Sequence, residues 1–315
     1  MKAFLLLMLV LPPLLHASPL AMQQQTDNAQ RLFSYQFRAA EQDIRFQFSL
    51  PVASIVRNSN LIKPYVPEVM QQQLWRELQQ QAQQAGPYRI APGPGRDWQN
   101  FQLLHAFPAT SAQAEQANTQ RLQLLQQLQQ FSRQFQQQYL SNNGYQLQYL
   151  PDNRQQIIVD HLHIIEQSLP DVTPLAQSLV SQLNIQSQRQ LLSVLLSWVQ
   201  LIPLQPAEQA DYGQSFSPPL QLLRQHHGDS ASKTVLLATL VRSLLPDVKQ
   251  ALLYLPQRTV LALAIPAETD DRTVSLQGTD YLVADPSGPE LMPAGTVAMS
   301  QQAFIVSQFF AYRLF

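Results

Sequence analysis

The chemistry open to this chain is limited first by its cysteine content, which is zero among 315 residues. Without Cys there is no disulfide, thiolate metal site, iron–sulfur cluster or cysteine nucleophile. The remaining groups include six imidazoles, those of His16, His105, His161, His163, His226 and His227. His226 and His227 lie close to Asp229, but adjacent side chains diverge and no third ligand follows at a useful spacing. We therefore expect no metal ion and no other cofactor.

Two carboxylates lie at positions where the chain is expected to change direction. Asp229 and the next residue, Ser230, precede the apolar stretch 234–245, which predicts a helix. Either residue is a suitable helix N-cap, an interaction that stabilises by about 1 kcal/mol. Asp285 precedes Pro286 and is an equally suitable turn initiator. Both carboxylates therefore have structural interpretations that require no catalysis.

The order of the motifs in the C-terminal half indicates a family. They are Trp198-Val199-Gln200-Leu201-Ile202-Pro203-Leu204, Ser217-Pro218-Pro219-Leu220, His227-Gly228-Asp229-Ser230-Ala231-Ser232-Lys233, an apolar strand Thr259 to Ile265, and Tyr281-Leu282-Val283-Ala284-Asp285-Pro286-Ser287-Gly288. In this order they resemble a bacterial transglutaminase-like domain, a relative of papain-type cysteine peptidases. The resemblance covers about Leu191 to Pro289, roughly a third of the chain.

The resemblance implies a catalytic triad at three positions. In that family a Gly-Asp-Cys turn opens a helix, so that the thiol lies at the helix N-terminus, where the helix dipole favours the thiolate. A His at the start of a following strand accepts the proton of the thiol, and an Asp on the next strand orients the His. By resemblance Ser230 has the thiol position, Asp285 is the orienting carboxylate, and the His position falls at Thr259, within one or two residues.

Two of these three positions carry residues that differ from the family. A serine hydroxyl is nearly un-ionised at neutral pH and depends on a base far more than a thiol does. Every His precedes Ser230 in the chain, and His226 and His227 lie too close to it in sequence to face it across a cleft. His161 or His163 could approach Ser230 only if the fold departs from that of the family.

Three hypotheses for the function follow. The first, which we favour, is a transglutaminase-like pseudoenzyme that binds a peptide, a cell-wall fragment or a protein partner without catalysis. The second is a serine-dependent amidohydrolase or acyltransferase that uses Ser230, Asp285 and an unforeseen base. The third is a structural or assembly protein whose glutamine-rich N-terminal helices form the working surface.

Composition limits the classes of partner. Only 13% of the residues are charged, the net charge is -1, and about one residue in six is Gln. Nucleic acid and anionic lipid surfaces both require clustered Lys and Arg, and no such cluster occurs. We expect no nucleic-acid partner and no stable insertion into a membrane.

The N-terminus is typical of a secretory signal peptide. Lys2 precedes the apolar stretch Ala3 to Leu15, and the small residues Ala17, Ser18 and Ala21 follow. We expect cleavage between Ala17 and Ala21, a signal peptide over residues 1–21, and a periplasmic or secreted mature protein.

Periodicity predicts both helices and strands along the rest of the chain. Alternation predicts strands at Leu32 to Phe37 and Ile44 to Phe48, paired as a hairpin, and at Tyr145 to Tyr149, Gln156 to Asp160 and Thr259 to Ile265. Helical spacing or apolar runs predict helices at Pro67 to Gln84, Ala112 to Tyr139, Leu191 to Val199, and from Pro170 to Leu183. If the strand that begins at Gln156 continued to His163, His161 and His163 would share one face of it.

These elements predict an α+β fold. We expect an N-terminal α/β region with Gln-rich helices over residues 22–160, followed by a transglutaminase-like domain of helix and antiparallel sheet over residues 161–315.

Overall fold

The structure of the protein is a computed structural model. It describes residues 21–39, 42–93, 101–105, 114–149, 155–205, 215–256, 258–288 and 290–315. The predicted signal peptide lies almost wholly outside the described residues, as does His16. The description contains helices and antiparallel sheets, so the predicted α+β class is confirmed.

The first element is a three-stranded antiparallel sheet of β1 (Ala21–Asp27), β2 (Gln30–Ala39) and β3 (Gln42–Pro51), in that order. The predicted hairpin is confirmed as β2 and β3, which pair from Gln30 with Pro51 to Ala39 with Gln42. Alternation places its aromatic residues on one face, where they are buried. The indole of Trp198 lies on these rings, 4.9 Å from Phe46 and 5.2 Å from Tyr35 between ring centroids.

The glutamine-rich region forms helices and two short hairpins. Its elements are α1 (Val52–Ser59), α2 (Pro67–Ala85), β4 (Tyr88–Pro92), β5 (Phe101–His105), α3 (Ala114–Asn142), β6 (Tyr145–Tyr149) and β7 (Gln155–Val159). The helices predicted at Pro67 and Ala112 are confirmed as α2 and α3, and the strands predicted at Tyr145 and Gln156 are confirmed as β6 and β7. Leu74, Leu78 and Leu128 pack with the β4–β5 hairpin in a separate apolar cluster.

Helix α4 (His161–Ser181) begins nine residues earlier than predicted. Asp160 caps it, because its carboxylate accepts a hydrogen bond from the backbone N–H of His163 at 3.2 Å. His161 and His163 therefore lie in the first helical turn, so the strand does not continue to them and they do not share a strand face. Pro170 and Pro174 lie inside the helix, where proline ordinarily costs about 3 kcal/mol. Burial of the apolar face of α4 in the core offsets that cost. Local helix propensity does not predict this effect of tertiary packing.

The C-terminal half is a five-stranded antiparallel sheet with helices packed on it. The elements are α5 (Gln188–Leu201), α6 (Pro219–Gln225), α7 (Ser230–Leu244), β8 (Gln250–Leu255), β9 (Arg258–Leu263), β10 (Thr273–Leu276), β11 (Thr279–Ala284), α8 (Met299–Val306) and β12 (Ala311–Leu314). The strand order is β10-β11-β9-β8-β12. Helix α7 packs against β9 and α4, and its residues from Ser232 to Val241 are all buried.

One apolar cluster extends across the predicted domain boundary at residue 160. It includes Phe33 and Phe46 of the N-terminal sheet, Trp198 of α5, Leu236 of α7 and Leu261 of β9. The boundary itself stays a prediction. None of the helices in the described ranges combines the length and the apolar character that crossing a bilayer requires.

Candidate functional site

The N-terminus of α7 is capped by Asp229. The Oδ1 atom of Asp229 accepts hydrogen bonds from the Ser232 backbone N–H at 2.7 Å and from the Ser232 hydroxyl at 2.6 Å. Its Oδ2 atom accepts a third hydrogen bond, from the Ser215 hydroxyl at 2.9 Å. Of the two N-cap candidates in the sequence, Asp229 is therefore the cap, and Ser230 is the first residue of the helix.

Ser230 lies against the start of β9. It is half-buried, and its Oγ atom accepts a hydrogen bond from the Thr259 backbone N–H at 3.2 Å. One turn further along α7, the Thr234 hydroxyl donates to the Thr259 carbonyl at 2.7 Å. Both backbone polar groups of Thr259 are thus satisfied by side chains of α7. These two hydrogen bonds fix the helix N-terminus to the first residues of the strand.

Asp285 follows β11 directly and is fully buried. Its Oδ1 atom accepts the Ser287 backbone N–H at 3.0 Å, two residues ahead, so the predicted turn is confirmed. Its Oδ2 atom accepts from Arg258 Nη1 at 3.2 Å, in an ion pair whose guanidinium is 24% exposed. The carboxylate therefore has partners on both oxygens.

Of the three positions derived from the family resemblance, Ser230 and Thr259 are in contact, whereas Asp285 hydrogen-bonds to the residue before Thr259. β11 pairs with β9 so that Ala284 faces Leu261, and continuing this register places Asp285 opposite Val260. Thr259 contacts Ser230 through its backbone N–H, whereas the side chain that reaches Asp285 belongs to the adjacent Arg258. Arg258 is one residue from the position that the resemblance gives for the base. Because side chains alternate along β9, that of Arg258 shares a face with Val260, whereas that of Thr259 shares the face of Leu261, which packs with α7.

A buried lysine beneath this site was not predicted. Lys233 has no exposed surface, and its ammonium donates to the carbonyls of Gln200 at 3.1 Å, Ile202 at 2.7 Å and Ser287 at 2.6 Å. Gln200 and Ile202 end helix α5, whose last carbonyls have no partner within the helix. A cation at a helix C-terminus is also favoured by the helix dipole. Lys233 therefore joins α7, the end of α5 and the loop after β11.

Gln200 completes this connection from the other side. Its side-chain Nε2 donates to the Asp285 carbonyl at 2.8 Å and to the Met292 carbonyl at 2.9 Å, and its Oε1 accepts from Met292 N–H at 3.2 Å. The loop that carries Asp285 is thus held by one amide and one ammonium.

Burial lowers the pKa of Lys233 to about 7, an effect that the nearby Asp285 carboxylate opposes and the Arg258 guanidinium reinforces. A sequence signal for this residue existed. Lys233 is the only charged residue between Ser230 and Val241, in a stretch apolar enough to be buried on all sides. A single charge in such a stretch must find partners inside the protein.

The described imidazoles make their contacts away from Ser230. His161 Nδ1 lies 3.1 Å from the Tyr254 hydroxyl, and His227 Nδ1 lies 2.8 Å from Gln205 Oε1. The ring of His226 lies 6.0 Å from that of Tyr35, and His105 packs against Tyr88. In the part of the chain that the structure describes, no imidazole hydrogen-bonds to Ser230 Oγ, and no three His, Asp or Glu side chains cluster closely enough to hold a metal ion.

His161 predicts a pH dependence of stability. Burial lowers its pKa from 6.5 to about 3, so the unfolded chain binds a proton at this residue throughout a pH window in which the folded protein does not. The free energy of unfolding therefore falls as the pH is lowered from about 6.5 toward 3, by up to about 1.4 kcal/mol per pH unit. Urea denaturation of wild type and His161→Gln between pH 6.5 and 4.5 measures this.

The exposed His163 provides the matched control. In His163→Gln the free energy of unfolding is expected to change with pH as steeply as in the wild type. In His161→Gln it is expected to change much less with pH. Equal slopes in all three proteins would show that His161 takes up its proton normally in the folded state.

Comparison of the chain with family models, with curated proteins and with solved structures found no match in any of the three. What the protein does must therefore be inferred from the chemistry of its own residues.

Proposed function

We propose that this protein is a transglutaminase-like pseudoenzyme that binds a peptide, a cell-wall fragment or a protein partner without turning it over. The arrangement of helix N-terminus, following strand and buried carboxylate is consistent with the family resemblance. The residues in that arrangement favour binding over catalysis. The proposal includes export to the periplasm or beyond, for which Lys2 and the apolar stretch Ala3 to Leu15 are the support.

One observation supports the loss of catalysis above all others. The Ser230 oxygen accepts a hydrogen bond from the Thr259 backbone, and the ionisable residue next to Thr259 in β9 is Arg258, whose guanidinium is paired with Asp285. A guanidinium stays protonated in proteins and cannot accept a proton from a hydroxyl. In the part of the chain that the structure describes, no base hydrogen-bonds to Ser230 Oγ, and without a base the hydroxyl is a poor nucleophile.

The same residues could support recognition of a ligand. Arg258 uses one N–H on Asp285, and a quarter of its side chain remains exposed. A guanidinium held in place by a buried carboxylate loses little further rotamer freedom when it donates its other N–H groups to a carbonyl or carboxylate. A peptide or a wall fragment offers both kinds of acceptor.

Fluorophosphonate labelling tests the absence of an activated hydroxyl. We expect the folded mature protein to remain unlabelled by a broad fluorophosphonate probe, as is Ser230→Ala, while an active serine hydrolase treated in parallel is labelled. Circular dichroism of both proteins establishes that they are folded. Labelling of the wild type that disappears in Ser230→Ala would reject the pseudoenzyme and favour the serine-dependent hydrolase or acyltransferase.

A further inference from the structure

A groove lies between β6 and β12, the edge strand two places from β9 in the five-stranded sheet. It has a volume of about 440 Å³ and is lined by Leu147, Gln148 and Tyr149 on one side and by residues 310–313 on the other. Within the described residues, β6 pairs only with β7, and β12 pairs only with β8. The groove is therefore bordered by one unpaired edge of each strand.

The strand registers determine which backbone groups face outward. Gln250 and Phe315 exchange both hydrogen bonds, and antiparallel pairs alternate, so the backbone groups of Tyr312 point away from β8. On β6, Asp160 N–H donates to Gly144 O, and the same alternation turns the backbone groups of Leu147 and Tyr149 away from β7. Unpaired donors and acceptors of this kind are a template for another strand.

Side chains at the groove carry unused hydrogen-bonding groups. Gln148 is only 4% exposed, and its Oε1 atom has no partner, nor does the buried Nε2 atom of Gln146. The two strands meet through the ends of long side chains, since Arg313 Nη2 donates to Gln146 Oε1 at 2.9 Å.

Charge indicates which kind of strand fits. Among the described residues that line the groove only Arg313 is charged, and no carboxylate of the described ranges forms an ion pair with it. The rings of Tyr149 and Tyr312 are 64% and 39% exposed on either side. A guanidinium that has no carboxylate partner, in a groove with exposed aromatic rings, suits an extended chain that carries a carboxylate and apolar side chains.

We propose that this groove binds an extended peptide with an acidic side chain, which adds as a strand between β6 and β12. The added strand would pair with the outward backbone groups of Tyr312 and Leu147, and its carboxylate would pair with Arg313. This is the β-augmentation mode, in which main-chain hydrogen bonds give affinity and side-chain pockets give specificity. The site does not involve Ser230, Arg258 or Asp285 and is independent of the pseudoenzyme proposal.

Selection from a bead-displayed library of randomised heptapeptides, with the fluorescent full-length mature protein as bait, tests the proposal. Enriched peptides are expected to alternate apolar and polar residues and to contain Asp or Glu. Their Kd values are then measured by fluorescence anisotropy. Replacing the acidic residue of an enriched peptide by Lys is expected to weaken binding about tenfold, as is Arg313→Gln.

Two substitutions at one position separate the strand edge from the ring beside it. Tyr312→Pro removes an outward N–H without breaking the pairing with β8, and is expected to weaken binding about tenfold or more. Tyr312→Phe keeps that N–H and is expected to bind within about twofold of wild type. Ser230→Ala is expected to bind as wild type, which keeps this test separate from the pseudoenzyme proposal.

Several outcomes would overturn the proposal. One is that no peptide is enriched, and another is that enriched peptides bind Tyr312→Pro and Arg313→Gln as tightly as wild type. If sedimentation shows a dimer that Tyr312→Pro dissociates, the occupant of the edge is a second copy of the chain. If Tyr312→Pro fails to fold, Arg313→Gln and the Lys-substituted peptide still decide the result.

Discussion

Gly288→Ala is expected to lower the free energy of unfolding by at least about 3 kcal/mol. Gly288 has φ of +61°, and a Cβ atom there would lie 2.1 Å from the carbonyl oxygen of Gln200 and 3.0 Å from its carbonyl carbon. Both obstacles are backbone atoms at the end of α5, so no side chain can rotate away. The loop would have to shift, which would disturb the hydrogen bond from Lys233 to the Ser287 carbonyl. Strain and lost hydrogen bonds would therefore add.

Gly278→Ala is the matched control for this substitution. Gly278 has φ of +79°, but nothing lies within 4 Å of the Cβ position. The control therefore isolates the cost of the left-handed conformation, about 1 kcal/mol. Urea denaturation of both variants measures the difference. Equal losses of stability would mean that the loop after Asp285 is not held tightly against α5.

Lys233→Met is expected to lower the free energy of unfolding by about 3 kcal/mol at pH 6, where Lys233 is protonated in the folded protein. The substitution keeps most of the side-chain length but leaves three buried carbonyls without a donor, each worth about 1–3 kcal/mol. Removing the desolvated charge offsets part of this loss, as the lowered pKa of Lys233 indicates. The orphaned carbonyls dominate because two of them belong to the end of α5, which loses its only described capping cation.

Lys233 makes the free energy of unfolding depend on pH in the alkaline range, whereas His161 does so in the acidic range. Between pH 7 and about 10 the unfolded chain keeps a proton on this lysine that the folded protein has released. The free energy of unfolding of the wild type is therefore expected to rise with pH in that range, relative to Lys233→Met.

Lys249→Met, at an exposed lysine, is the control and is expected to be as stable as wild type. A Lys233→Met protein as stable as this control would contradict the capping role.

The elements that local pattern governs could be predicted from the sequence. The alternation of Phe33, Tyr35 and Phe37 with polar residues predicted the hairpin, because a strand with one buried face requires that period. The start of α7 was equally predictable, because Asp229 precedes an apolar stretch and carboxylates cap helices well.

The start of α4 and the contacts of the site depend on distant parts of the chain. Two prolines indicated a helix that opens at Pro170, whereas packing of the helix into the core carries it back to His161. The pairing of Arg258 with Asp285 depends on how β9 and β11 align, which no local pattern specifies. Lys233 was visible as an isolated charge, but its three carbonyl partners come from two other segments.

The absence of Cys makes one measurement decisive for the central proposal, that Ser230 and the start of β9 have the geometry of a thiol site without its base. Ser230→Cys introduces a single thiol, and its rate of alkylation by iodoacetamide from pH 5 to 9 reports its pKa. Adding Arg258→His, or Thr259→His in a second protein, returns an imidazole to the strand. Arg258→Gln in the same background is the control.

At least one of the two imidazole variants is expected to react at pH 6 about tenfold faster than the Arg258→Gln control. A thiol paired with an imidazolium has a lowered pKa, and the gain in thiolate exceeds the loss of intrinsic nucleophilicity. Folding of each variant is checked by thermal denaturation. If neither folded imidazole variant reacts faster than the control, the geometry at Ser230 is not that of a thiol site, and the transglutaminase-like interpretation is wrong.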